Sequence, residues 1–258
     1  MPAGADRCGS LAWTRSTRGR LSSRERRRLL LAIVGSQAEY IAGRIRLATG
    51  RVPDRGPFNF DQLEPPDSGL AKEAEAACAE QGPGLIGHSY RTWAFGSALA
   101  AVDGIALDPE LFYVACLVHD HGIDPAVPGE DFTLRSAARA AACAESAGRP
   151  TAVAETVAGA ITTHTTPGIT VAEDGPLGVY VQSGAVFDLA GVRCGDLPRS
   201  LRADVHAAHP RAGVDQEIKG LIKGEARAVP DGRFALLNRC GFSVLVGLNP
   251  IAREANSA

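Results

Sequence analysis

His88, the adjacent pair His119-Asp120, and Asp188 are the residues of this chain whose types and spacing could do chemistry together. Two imidazole nitrogens and two carboxylate oxygens form a borderline ligand set, suited to zinc, iron(II), manganese or cobalt and less to calcium, which takes oxygen alone. Taken singly, a helical histidine is more often a hydrogen-bonded core residue, and a lone aspartate more often a cap. The His-Asp pair is different because it directly follows the apolar run Leu111 to Val118. Ionised groups buried there without a partner would be strongly destabilising. One divalent transition metal would remove that cost, and the expected ligands are His88, His119, Asp120 and Asp188.

The elements that must position these residues read as helices. Leu30, Ile33, Val34, Ala38, Ile41 and Ile45 recur at helical spacing, so a first helix is expected over 29–47. Pro53, Pro57 and the pair Pro65-Pro66 exclude a helix from the next stretch, which should wrap the core as a loop. A short amphipathic helix over 69–81 stops at Gly82-Pro83-Gly84, and the following one runs to about Val102 with His88 in its first turn. Asp108-Pro109 is a good helix start, and the helix it opens closes on His119 and Asp120. Further helices are expected over 133–147, from Pro150 towards His164, from Pro176 to Leu189 with Asp174 as cap, and near 199–208 and 214–227. The stretch from Phe234 to Leu248 is less regular. The fold class expected is all-α, a compact multi-helix bundle around one central metal site.

The bulk properties are those of a globular chain. Of 258 residues, 45% are hydrophobic and 22% charged, and a net charge of −2 provides no field for nucleic acid or anionic lipid. Aromatics are scarce, and Ala and Leu fill the apolar positions, as in packed helices. No apolar run approaches the ~18 residues needed to cross a bilayer, so a cytoplasmic protein is expected. The six cysteines form no C-x-x-C pair and read as reduced core thiols. Residues 1–28 carry eight arginines against Asp6 and Glu25 and read as a basic, mobile leader. Residues 29–258 are then a single helical domain.

The ordered set His88…His119-Asp120…Asp188 resembles the H…HD…D signature of the HD superfamily of metal-dependent hydrolases. The flanks His88-Ser89-Tyr90-Arg91, Leu117-Val118-His119-Asp120 and Gln182 to Gly191 look most like its cyanamide hydratase branch, the likeness covering roughly residues 85–191. By that resemblance the four ligands carry over as named, the fold is a bundle of α-helices around a deep site, and the reaction is hydration of the nitrile of cyanamide to urea. The ion would lower the pKa of a water to about 7 for attack on carbon. Asp120, through its free oxygen, or His164 would relay the proton, although Thr162-Thr163-His164-Thr165-Thr166 reads nearly as well as a capping cluster bonded to its own backbone; Arg91, one turn after His88, would orient a ligand carboxylate or equally pair at the surface. The chain departs from the family pattern at His121, where an apolar residue is expected before Gly122; His121 reads as facing solvent.

Two rivals remain at this stage. The nucleotidase-like HD phosphohydrolases share the ligands but expect a glutamate where this chain has Ile123, and only Arg91 and Arg135 could meet a phosphate. A non-catalytic helical ligand-binding module is the other. His206 and His209 lie three apart on one face, a spacing that rarely binds metal without further ligands. A small-molecule substrate is the expected partner, with no nucleic acid and no membrane, and association into a homo-oligomer is compatible with the sequence.

Overall fold

The computed structural model describes residues 7–53, 56–211 and 213–255. Among them the chain is helical throughout: α1 (Leu11–Thr17), α2 (Ser23–Ala48), α3 (Gly69–Cys78), α4 (Pro83–Val102), α5 (Pro109–Val118), α6 (Phe132–Ser146), α7 (Thr151–Thr163), α8 (Val171–Asp174), α9 (Pro176–Ala190), α10 (Arg199–Ala208), α11 (Val214–Ala228), α12 (Arg233–Arg239), α13 (Phe242–Gly247) and α14 (Pro250–Ala255). The only extended pairing among these residues is an isolated bridge between Arg20 and Gly232. No single described helix is long and apolar enough to cross a membrane. None of the six cysteines is in a disulfide.

The helix starts follow from local chemistry. The Asp108 carboxylate accepts the Leu111 N–H, and Pro109 occupies the first helical position, where no N–H is needed. Ser22 and Glu25 form a capping box that fixes the start of α2. α9 begins after Gly175, not under an Asp174 cap; Asp174 ends the short α8 and accepts from the Thr170 N–H instead.

At the centre, α4 crosses α9 with the two backbones nearly touching. A Cβ at Gly184 would lie 2.1 Å from the Thr92 carbonyl oxygen, and one at Gly96 would lie 2.6 Å from that of Tyr180. Only glycine allows this approach, and it sets His88 on α4 beside Asp188 on α9. Around the crossing, Phe95, Leu99, Phe112, Leu117, Ile161 and Phe187 form the buried core, to which α3, α5, α6 and α7 contribute.

A further expectation needs correction. The stretch read as a mobile leader is ordered from Arg7 onward, while residues 1–6 lie outside the described ones. Trp13 of α1 is buried, donates from Nε1 to Glu25 (2.6 Å), and lies under the Arg233 guanidinium at 5.3 Å. An arginine-rich composition cannot reveal that one tryptophan anchors the segment. On α2, most of the apolar residues whose period marks the helix are exposed, Leu30, Val34, Ile41 and Ile45 among them, whereas Leu29 and Ile33 are buried. The period is helical as read, but the face turned towards the body is another.

Candidate metal centre

Three buried residues bring ligand atoms together: His88, His119 and Asp120, with all chosen atoms within 4.8 Å of one another. His119 Nε2 lies 3.3 Å from His88 Nε2 and 3.3 Å from Asp120 Oδ2, and His88 Nε2 lies 3.6 Å from the same oxygen. On the other side of the carboxylate, His164 Nε2 stands 3.6 Å from Asp120 Oδ1.

The helix ends explain how the imidazoles are aimed. His119 is the C-cap of α5 and His164 the C-cap of α7. Each turns its Nδ1 back onto a carbonyl of its own last turn, His119 onto Cys116 (2.7 Å) and His164 onto Ile161 (2.6 Å). Those carbonyls have no partner within the helix, so the ring N–H satisfies them. His88 instead donates from Nδ1 to Asp188 Oδ2 at 2.7 Å. Because all three Nδ1 atoms face acceptors, all three Nε2 atoms carry lone pairs, an assignment that follows from the hydrogen-bond network.

Three Nε2 atoms and a carboxylate therefore converge, with no hydrogen between them when the rings are neutral. Such an arrangement is repulsive until a cation enters. With ligand bonds of about 2.1 Å, donors around one ion lie roughly 3.0–3.4 Å apart for octahedral to tetrahedral angles, close to the separations within this group. The C-terminal ends of α5 and α7 also point carbonyls at the site, which favours positive charge there. His88, His119 and Asp120 thus form a buried group that could hold a metal ion, with His164 beside them.

The electrostatics fit neutral rings at His88 and His164 but not at His119, where burial would lower the pKa and the Asp120 carboxylate outweighs it and raises it above that of a free imidazole. Burial alone would raise the Asp120 carboxyl, but the His119 and His164 imidazoles outweigh it and hold Asp120 well below the usual carboxylate range. Burial holds the pKa values of His88 and His164 below that of a free imidazole, in keeping with neutral ligands.

Asp188 departs from its expected role. Its carboxylate takes Nε and Nη2 of Arg91 (2.8 and 3.1 Å), Nη1 of Arg211, and His88 Nδ1. Both oxygens are occupied on the side of His88 remote from His119, so Asp188 orients a ligand and is not placed as a fourth one. Burial would raise its pKa, but Arg211 and Arg91 hold it well below the usual range. Arg91, expected to orient a ligand carboxylate, grips this one; its Nη1 goes to the carbonyls of His209 and Pro210, and it does not border the cavity. It is a positioning residue and not a catalytic one. Arg211 and Asn249, both bonded to the Asp188 carbonyl at 2.6 Å, were not foreseeable, since each lies outside any helical pattern.

The remaining histidines stand apart. His121 pairs with Glu80 at 2.8 Å on the outside of the bundle. His209 stacks on Tyr90 with ring centroids 4.9 Å apart, and His206 packs edge-on against Phe95.

The imidazoles and Asp120 close one end of a cavity of about 200 Å³. Its walls are mostly apolar, from Ile33 and Tyr40 of α2, Val186 and Leu189 of α9, and Phe234, Phe242 and Leu245 beyond. The one cation bordering it among the described residues is Arg193, held by Asp103 and Asp196. No protein-family model matches the chain, and a search of curated proteins finds no match to it.

Proposed function

We infer that the chain is a single-metal hydrolase or hydratase of the HD type, acting on a small uncharged substrate in this cavity. One observation carries the reading: the Nε2 atoms of three imidazoles and one carboxylate face one another in the wall of a small, mostly apolar cavity. His88, His119 and Asp120 would hold the ion, with zinc or iron(II) the best suited to the donor set and manganese or cobalt also compatible. When bound, the ion supplies Lewis acidity that activates water and polarises the bond under attack.

The chain's own residues supply the rest. Asp188 and the Cys116 carbonyl hold the His88 and His119 rings in the ligating tautomer. The Ile161 carbonyl does the same for His164, leaving its Nε2 free to take a proton from water and return it to the product. The apolar walls exclude bulk water, which strengthens every charge interaction inside. A substrate with a carbon electrophile, such as a nitrile, meets no penalty in such a pocket. A phosphoester would bring a negative charge to a cavity whose bordering guanidinium is already committed to two carboxylates.

The test is turnover by purified protein reconstituted with zinc or iron(II), offered cyanamide, small nitriles and generic phosphoesters in parallel. Urea formed from cyanamide, or amide from a nitrile, is expected and should disappear in Asp120→Ala. Turnover confined to phosphoesters would overturn the hydratase assignment, and no turnover by metal-loaded protein would favour a non-catalytic binding module.

A further inference from the structure

The cavity wall beside the histidines holds two polar groups that the metal centre does not use. Gln182 donates from Nε2 to the carbonyl oxygens of His164 (2.6 Å) and Thr166 (2.8 Å). Both partners can only accept, so the orientation of the amide is fixed and Oε1 is its free end. Thr165 is 5% exposed, and its hydroxyl has no hydrogen-bond partner. Buried hydroxyls are nearly always paired, and this one, closed off from the cavity as it stands, gains a partner there by turning about χ1. Both residues border the cavity; Thr165 belongs to the turn after α7 that sets His164 beside Asp120, and Gln182 of α9 holds that turn through its carbonyls.

We propose that Gln182 Oε1 and the Thr165 hydroxyl form a recognition subsite for the N–H end of a small uncharged substrate, such as a primary amide or an amino nitrile. The assignment rests on reading the cavity as the substrate site of a metal-dependent hydrolase. Gln182 Oε1 can accept but never donate, so it selects an N–H over a carbonyl or an ether oxygen. The Thr165 hydroxyl rotates to donate or accept and can serve the neighbouring atom of the same group. Neither group is charged, and Arg193 is locked in its ion pairs, so a carboxylate or phosphate finds no free counter-charge among the side chains here. The substrate's N–H end would be held at the wall while its electrophilic carbon faces the histidines. A site built to pair an N–H rejects an isostere lacking it, because its own acceptor is then left unpaired.

Acetamide and acetone are nearly isosteric and differ in having NH₂ or CH₃ on the carbonyl, which makes them suitable probes. Their affinities for zinc-loaded protein can be read by chemical-shift titration without any turnover. The wild type should prefer acetamide by about three- to tenfold, the worth of one hydrogen bond. Gln182→Met should bring the ratio close to one. Gln182 also ties down the turn, so Thr165→Val serves as the second variant: it deletes a hydroxyl that bonds nothing within the protein and should leave the melting temperature unchanged. It should weaken acetamide about two- to fivefold and leave acetone as it was. Equal binding of the two probes by the wild type, a preference that survives in folded Gln182→Met, or unaltered acetamide affinity in Thr165→Val would each overturn the assignment. Protein that hydrates nothing yet keeps the preference would sink the hydrolase reading while leaving the subsite in place.

Discussion

Replacing Asp188 with asparagine removes one negative charge from between two guanidinium groups while keeping the size of the side chain. The aspartate is fully buried and accepts from Arg91, Arg211 and His88 together. Removing one partner of a buried ion pair typically costs about 3–5 kcal/mol, because the remaining charge is left without compensation. Against a total stability of about 5–15 kcal/mol for a domain, that loss is large. With a urea dependence near 3 kcal/mol per molar, the unfolding midpoint should fall by about 1–2 M. Metal affinity should fall less drastically, by about 10–100-fold, as for residues that orient a ligand through its second nitrogen. Urea titration followed by circular dichroism and zinc competition against a chromophoric chelator measure the two effects on the same sample. A variant that keeps its urea midpoint but loses zinc altogether would refute the reasoning and make Asp188 a direct ligand.

Other consequences are equally open to measurement. Glu225 is buried, its Oε2 has no hydrogen-bond partner, and burial pushes its pKa up to about 7 from an ordinary 4.5. The folded state therefore holds a proton that the unfolded chain releases between these values. Stability should fall as pH rises from 4.5 to 7. His206, pushed down to about 4 by burial, works in the opposite direction, with stability lost as pH falls below 6.5. The informative quantity is consequently the difference from Glu225→Gln, which should gain about 1–3 kcal/mol over wild type at pH 8 and nothing at pH 4; a pH-independent difference in urea midpoint would contradict this. Trp13→Ala should cost about 3–5 kcal/mol by calorimetry, as for a core aromatic, whereas an anchorless leader would lose almost nothing. His121→Ala should leave zinc affinity within about twofold of wild type, since its ring is turned to Glu80; a tenfold loss would place it in the site after all.

The contrast between what the sequence conveyed and what it did not is sharpest at the histidines. His119 was legible because a polar pair ending an apolar run has few fates other than a helix end facing a site. His164 carried the same signature, a histidine closing an apolar helix, yet its threonine neighbours suggested a capping cluster equally well. Both proposals hold in part, since Thr162 does bond the Gly159 carbonyl while His164 turns its Nε2 towards Asp120. Asp188 was found as a residue but misplaced in role, because a carboxylate that orients a histidine and one that ligates an ion occupy similar helical positions. What decides between them is Arg91 and Arg211, and the latter lies in the loop between α10 and α11, where no period exists to read. For α2, periodicity identified an apolar stripe but not the neighbour that covers it. Its inward face is set by the cavity, through Ile33 and Tyr40.

The central claim is that His88, His119 and Asp120 share one ion, and metal content per chain tests it most directly. Protein purified without chelator, incubated with zinc and desalted, should hold one equivalent by plasma mass spectrometry. His119→Ala and Asp120→Ala should hold close to none while remaining folded, and His206→Leu should hold as much as the wild type. Wild-type protein that returns from desalting free of zinc, or an Asp120→Ala variant that retains a full equivalent, would contradict it.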